Sequence, residues 1–216
     1  MRKIGAVILF SICFLTTNAQ NNQDFGVWTG ISTGYKVNKK IKLNGDVQMR
    51  TFENSQALKQ LFVDFSLSYK INKRFKGGLS WRGKESYVAI NPLFYNRFGL
   101  DLSWSKKIIK RTRLSLRSRT QYTIVPNSLN KPYERTRLKL TYKLKKGLYL
   151  FAQDELFFNL NSGGNPIYDK NRFGLGATKK LNKKIDLTAK YLRIVDIGVY
   201  RPLTMNVLFV AVSVKI

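Results

Sequence analysis

Residues 137–144 read Arg-Leu-Lys-Leu-Thr-Tyr-Lys-Leu. Arg137, Lys139, Thr141 and Lys143 interleave with Leu138, Leu140, Tyr142 and Leu144, so an extended chain here is charged on one face and apolar on the other. The alternation recurs in eleven segments, at 24–37, 41–52, 60–71, 75–88, 94–106, 111–124, 133–145, 148–160, 170–181, 185–196 and 204–216. A soluble sandwich alternates too. Here nearly every segment does so, and the polar face carries arginine and lysine, which is the pattern of a transmembrane β-barrel with a wet lumen.

The segments are long enough for tilted membrane-crossing strands. Five tight connections join them: Asn38-Lys39-Lys40, Asn72-Lys73-Arg74, Lys107 to Lys110, Lys146-Gly147 and Asn182-Lys183-Lys184. Asn and Gly tolerate the positive φ that short hairpins use. The alternate links, at 53–59, 89–93, 125–132, 161–169 and 197–203, are longer and hold all five prolines and the Ser162-Gly163-Gly164 run. Short periplasmic turns and longer extracellular loops are the asymmetry of outer-membrane barrels. The expected fold is therefore all-β, an antiparallel transmembrane barrel of about 10–12 strands.

Residues 1–19 read as a signal peptide: Arg2 and Lys3, an apolar run from Val7 to Leu15, and Thr17-Asn18-Ala19 before the cleavage point. Residues 20–216 are then the barrel. The sole cysteine, Cys13, lies in the apolar run and is followed by Phe14, which does not suit a lipoprotein attachment site, so the exported chain would have no thiol. Localisation in the outer membrane of a Gram-negative bacterium follows. No later apolar run approaches the length of a transmembrane helix.

The formal net charge is +27, or +25 without Arg2 and Lys3. A secreted soluble basic β-protein that binds nucleic acid or acidic polysaccharide is the alternative reading. Nucleic-acid modules, however, gather charge in a patch or tail, whereas here it is spread in period two along the whole chain.

The apolar faces include Leu61, Val63, Phe65, Leu67 and Tyr69; Phe98, Leu100, Leu102 and Trp104; and Leu208, Val210, Val212, Val214 and Ile216. These are expected to face lipid, with Tyr35, Tyr69, Trp104 and Tyr142 forming an interfacial girdle near the short turns. Glu85, Asp154 and Arg193 fall on the same face and are expected near strand ends or beside a bulge. An odd number of strands would leave the termini on opposite sides of the membrane, so a missed or split strand, or an unusual N-terminal segment, is expected before an odd barrel.

With the signal peptide, the opening Asp24-Phe25-Gly26-Val27-Trp28, the Asn-Lys-Lys turns, and Asn96-Arg97-Phe98-Gly99 and Asn171-Arg172-Phe173-Gly174 entering strands, the chain resembles domain-of-unknown-function family 2490. That resemblance spans the mature chain. It implies an outer-membrane barrel, mostly of Bacteroidota, with no assigned activity and no catalytic residues to carry over.

The chain contains no histidine. Barrel enzymes of this size rely on histidine as a general base or proton relay, so no catalytic residues and no enzyme activity are expected. Without Cys or His there is no zinc or copper site. A calcium site would have to draw on Asp154, Glu155 and Asp169, where scattered solvated carboxylates are the simpler reading. No cofactor or metal is expected.

What remains is a basic ladder. Arg111, Arg113, Arg117 and Arg119 face Arg135, Arg137, Lys139 and Lys143 of the next segment, and these like charges repel unless acids, water or an anion screens them. The lumenal acids are few: Asp46, Asp64, Asp101, Glu155 and Asp186. The candidate anion or ligand site comprises Arg97, Arg111, Arg113, Arg117, Arg119, Arg135, Arg137, Lys139 and Arg172. The barrel is expected to be either a plugged, structural one or a small anion-attracting channel or anionic-ligand carrier. Expected partners are outer-membrane lipid with lipopolysaccharide, the barrel insertion machinery and small anions or an anionic ligand, with nucleic acid disfavoured and a monomeric state.

Overall fold

The computed structural model describes residues 23–87, 92–126, 130–160, 168–197 and 203–216. The signal-peptide reading and the Ser162-Gly163-Gly164 run lie outside these residues. Eleven strands follow one another in the order β1 (Gln23–Lys36), β2 (Ile41–Phe52), β3 (Ala57–Lys70), β4 (Phe75–Ser86), β5 (Leu93–Ile109), β6 (Thr112–Ile124), β7 (Lys131–Lys145), β8 (Leu148–Asn159), β9 (Tyr168–Lys180), β10 (Ile185–Asp196) and β11 (Thr204–Lys215). Each pairs with its sequence neighbours, and β1 pairs with β11, closing a barrel. Among the described strands no edge is left open, which removes the usual hazard of an unpaired ladder.

The expectation of a missed strand is overturned. Ten pairings are antiparallel, but β1 and β11 are parallel, in register from Gln23↔Thr204 to Gly34↔Lys215. The reason is geometric. Hairpins reverse the chain at each step, so the first and last of an odd number of strands run the same way and can close only in parallel. The barrel therefore departs from the all-antiparallel expectation at one seam, and Gln23 and Lys215 stand at opposite rims.

The three Asn turns share one construction. The Oδ1 of Asn38 accepts from the backbone N–H of Lys40 and Ile41, both at 2.8 Å. That of Asn72 accepts from Arg74 and Phe75 at 2.8 and 2.9 Å, and that of Asn182 from Lys184 and Ile185 at 2.7 and 2.8 Å. None of the three has a positive φ, contrary to expectation. Asparagine works here by capping turn donors with its side chain, the other property that makes it a turn residue. Gly147, with φ 77°, does use the left-handed region. So do Glu53, Asn54 and Ser55, and that link, expected to be long, is a tight turn between β2 and β3. β5 in turn runs on to Ile109, which shortens its turn to Lys110 and Arg111.

Burial alternates with the pleat. Ile31, Phe65, Leu79 and Leu100 are each more than half exposed, and the predicted outward sets on β3, β5 and β11 all lie on the outer face. Tyr35, Tyr69 and Tyr142 stand exposed beside the short turns. Such a surface is far more apolar than water tolerates over a whole protein and suits hydrocarbon.

The three outward charges are placed differently. Glu85 is next to the end of β4 and accepts from the Tyr87 hydroxyl at 2.7 Å; Arg193 is near the end of β10. Asp154 sits in the middle of β8, contrary to expectation, where the Asn171 side-chain amide donates to it at 2.9 Å. Its neighbour Glu155 points into the barrel, so the two acids cannot share one cation.

Candidate functional site: the lumen

The inward row of residues that runs around the barrel explains how the lumen is built. Arg117 of β6 is paired in register with Arg137 of β7, Arg137 with Glu155 of β8, and Glu155 with Arg172 of β9. The row then changes character, to Ile194 of β10 and Met205 of β11. One hydrogen-bonded circuit thus passes from an ionic wall to an apolar one.

On the ionic wall like charges stand directly opposite each other: Arg117 against Arg137, Arg119 against Arg135, and Arg82 against Arg97. Opposed like charges destabilise a sheet unless a third group intervenes. Carboxylates on flanking strands supply it. Arg119 binds Asp101 through two bonds of 2.7 Å, and Arg82 binds Asp64 through two of 2.6 Å. These are fork-to-fork pairs, the geometry at which guanidinium excels.

Glu155 is the hub. It is 2% exposed and receives Arg117 at 2.9 Å, Arg135 at 3.0 Å and Arg172 at 3.4 Å. Arg135 is held further by the Gln121 side-chain oxygen at 3.1 Å. Three strands other than its own are tied to this one carboxylate. Desolvating it is costly, and the three guanidiniums offset that cost.

The apolar wall comes from the seam. Trp28 of β1, Leu192 and Ile194 of β10, and Met205, Val207 and Phe209 of β11 form a buried cluster on the lumen side. The expected basic lumen is thus lined by charge on only part of its circumference. β11 is apolar on both faces, with Leu208 outside and Val207 fully buried inside. Gly26 makes room: a Cβ there would come 2.5 Å from Met205 Cε and 2.5 Å from the Thr51 carbonyl oxygen, beside the point where the β2–β3 register shifts. A Cβ on Gly176 of β9 would likewise come 2.6 Å from Phe151 Cζ and 2.5 Å from Lys190 Cβ.

Cations lying on aromatic faces stitch the walls together. The Arg50 guanidinium is 3.8 Å from the Trp28 ring centre and 4.6 Å from that of Phe62. Arg82 is 3.7 Å from Phe62, Lys139 3.8 Å from Phe151, and Lys190 4.0 Å from Phe209. Stacking of this kind stabilises a desolvated cation without neutralising it.

Of the residues proposed from sequence, Arg117, Arg119, Arg135 and Arg172 converge on the Glu155–Asp101 cluster. Arg97 donates to Thr123 at 2.8 Å, and Arg137 and Lys139 lie on the same wall without a carboxylate within 4 Å among the described residues. Two belong elsewhere. Arg111 is in the turn before β6, and Arg113 is exposed at the short-turn rim, reaching Ser105 at 3.4 Å. Arg50, Arg82, Lys190, Trp28 and Phe209 were not singled out. Arg50 closes an inward Asp46-Gln48-Arg50 series, linked by bonds of 2.6 and 3.2 Å, and that alternation was the available signal. All five proposed lumenal acids have inward positions.

A cavity of about 320 Å³ opens in the lumen, bordered by Arg50, Arg137, Glu155 and Lys190 and by Trp28, Leu192 and Phe209. Its lining includes eight basic and three acidic side chains. No group of three or more acids suited to a metal ion occurs among the described residues.

The barrel is similar to two solved porins. The NanC porin superposes with a TM-score of 0.53 at 15% identity, covering 87% of this chain and 99% of that one. The KdgM porin gives 0.51 at 12% identity, covering 76% and 81%. At such identities the likeness is one of fold. No curated protein matches the chain. A family model does match, over residues 25–196, from the first strand to the end of β10, and the chain accordingly belongs to the family described as Protein of unknown function (DUF2490).

Proposed function

We propose that this protein is a non-enzymatic barrel of the outer membrane of a Gram-negative bacterium, and that its basic lumen is a narrow path or holding site for small anions. The observation that carries the reading is the inward charge balance. The acids of the cavity are already engaged, Asp64 by Arg82, Glu155 by three arginines and Asp46 by Gln48. Arg50, Arg137 and Lys190 have no carboxylate within 4 Å among the described residues. Confined between low-dielectric walls, such uncompensated charge draws anions and repels cations.

Two further features support it. The apolar outer belt argues against a secreted soluble protein, and charge turned inward is not available to nucleic acid. The turns at one rim carry Lys39, Lys40, Lys73, Arg74, Lys183 and Lys184, which would raise the anion concentration at the mouth. With these turns in the periplasm, as barrel asymmetry suggests, the β1 end of the chain reaches the outer surface. The absence of histidine supports a role without catalysis. Side chains filling the seam side make the path narrow, in keeping with a barrel of this size.

The test is conductance of the detergent-refolded barrel in planar bilayers, comparing wild type with Arg50→Gln/Arg137→Gln. The chloride-to-potassium permeability ratio is expected to fall several-fold in the double variant. An unchanged ratio overturns the reading.

A further inference from the structure

The cavity is short of hydrogen-bond acceptors and rich in donors. Trp28 is 4% exposed, yet its indole N–H has no partner. The Nε–H groups of Arg50, Arg117, Arg135 and Arg172 are also buried without a hydrogen-bond partner, the Arg117 Nε lying 3.8 Å from Asp101 Oδ1, beyond hydrogen-bond reach. All five side chains line the same cavity. Buried polar groups are ordinarily satisfied, and a cluster of orphan donors around one space calls for a ligand or ions that accept.

Charge sets what that ligand must be. Basic side chains outnumber acidic ones in the lining by five, as the eight and three show. The three without carboxylate partners arise from separated strands, Arg50 on β2, Arg137 on β7 and Lys190 on β10, so they approach the space from different sides. A halide neutralises one charge and offers no directed lone pairs. Guanidinium forks match the paired oxygens of phosphate and carboxylate. The volume, about 320 Å³, is at the small end of ligand sites, about 300–1,000 Å³.

We propose that the cavity is a binding site for a small polyvalent oxyanion, a molecule carrying two or more phosphate or carboxylate groups. Arg50, Arg137 and Lys190 neutralise it, and the Trp28 indole N–H and Arg172 Nε–H complete its hydrogen bonds. Glu155 keeps its three arginines oriented while the ligand takes their unused donors. The inference rests on the anion-attracting reading and goes beyond it by naming the ligand class.

The experiment is calorimetric titration of the refolded full barrel with pyrophosphate, with citrate and with chloride, all at matched ionic strength. Saturable one-site binding of pyrophosphate or citrate is expected, with no saturable chloride binding. Removing one guanidinium should weaken it about tenfold or more, in Arg50→Gln and in Arg137→Gln separately. Binding of pyrophosphate alone assigns the site to phosphate groups, binding of citrate alone to carboxylates, and either sustains the proposal. Lys190→Gln, which removes a cation that forms no ion pair, serves if an arginine variant fails to give a heat-modifiable folded band. Equal, unsaturable responses to all three anions, or affinities unchanged in the variants, overturn it. An anion-biased reversal potential in KCl alongside that result would leave the broader reading standing and remove this one.

Discussion

The two walls of the lumen solve the same problem by different physics. Along β10, β11 and β1 the interior is closed by Trp28, Leu192, Ile194, Met205, Val207 and Phe209, which gain stability from burial and dispersion. Along β4 to β9 it is closed by arginines held on Asp64, Asp101 and Glu155. The apolar wall sits at the parallel seam, where β1 and β11 pair without a connecting hairpin. A pairing with no hairpin to enforce it depends more heavily on what its side chains bury. The ionic wall lies among consecutive hairpins, whose register is already set by their turns. It is free to carry charge that costs stability.

If that division is right, the two walls should fail differently. The largest loss is expected from Glu155→Gln, which strands three buried guanidiniums: about 3–5 kcal/mol, read from urea unfolding of the refolded barrel. The same variant, where folded, should become more anion-selective, since it removes an internal counter-charge. A loss below 1 kcal/mol would mean that water already screens the cluster.

Leu192→Ala, on the apolar wall, should cost about 2–5 kcal/mol by the same titration, with ion selectivity unchanged. A shift in selectivity would show that the walls are not separable. Gly26→Ala should cost about 1–3 kcal/mol, because the added methyl meets Met205 and the Thr51 carbonyl of β2; a neutral result would mean the seam gives way easily. The smallest stability change belongs to Arg137→Gln, within about 0.5 kcal/mol, since no ion pair is lost, while anion preference falls. If instead it unfolds the barrel, Arg137 is structural and the sharp contrast between walls blurs.

Much of this fold was legible in period-two alternation. The eleven segments, the lipid-facing sets on β3 and β5 and the Asn-Lys-Lys turns needed only the local rule that adjacent side chains point to opposite faces. Closure was not legible locally. Whether β1 meets β11 depends on the summed stagger of eleven registers, which no single segment discloses. The seam wall was obscured because β11 is apolar on both faces, and alternation cannot distinguish Val207 from Leu208. At the site, the dense ladder on β6 and β7 was conspicuous, whereas Arg50 and Lys190 stand apart from other inward cations on their strands, and they and Arg82 come to one cavity only when the barrel closes. Arg111 and Arg113 extended the ladder in sequence past the point where the strand leaves the lumen.

The cations that line the lumen exceed its acids. The reversal potential of the wild-type barrel in a planar bilayer under a KCl gradient tests that claim most directly. A sign showing chloride more permeant than potassium is predicted. A cation-biased sign would contradict the account, because it would mean that the excess positive charge inside the barrel does not govern what enters it.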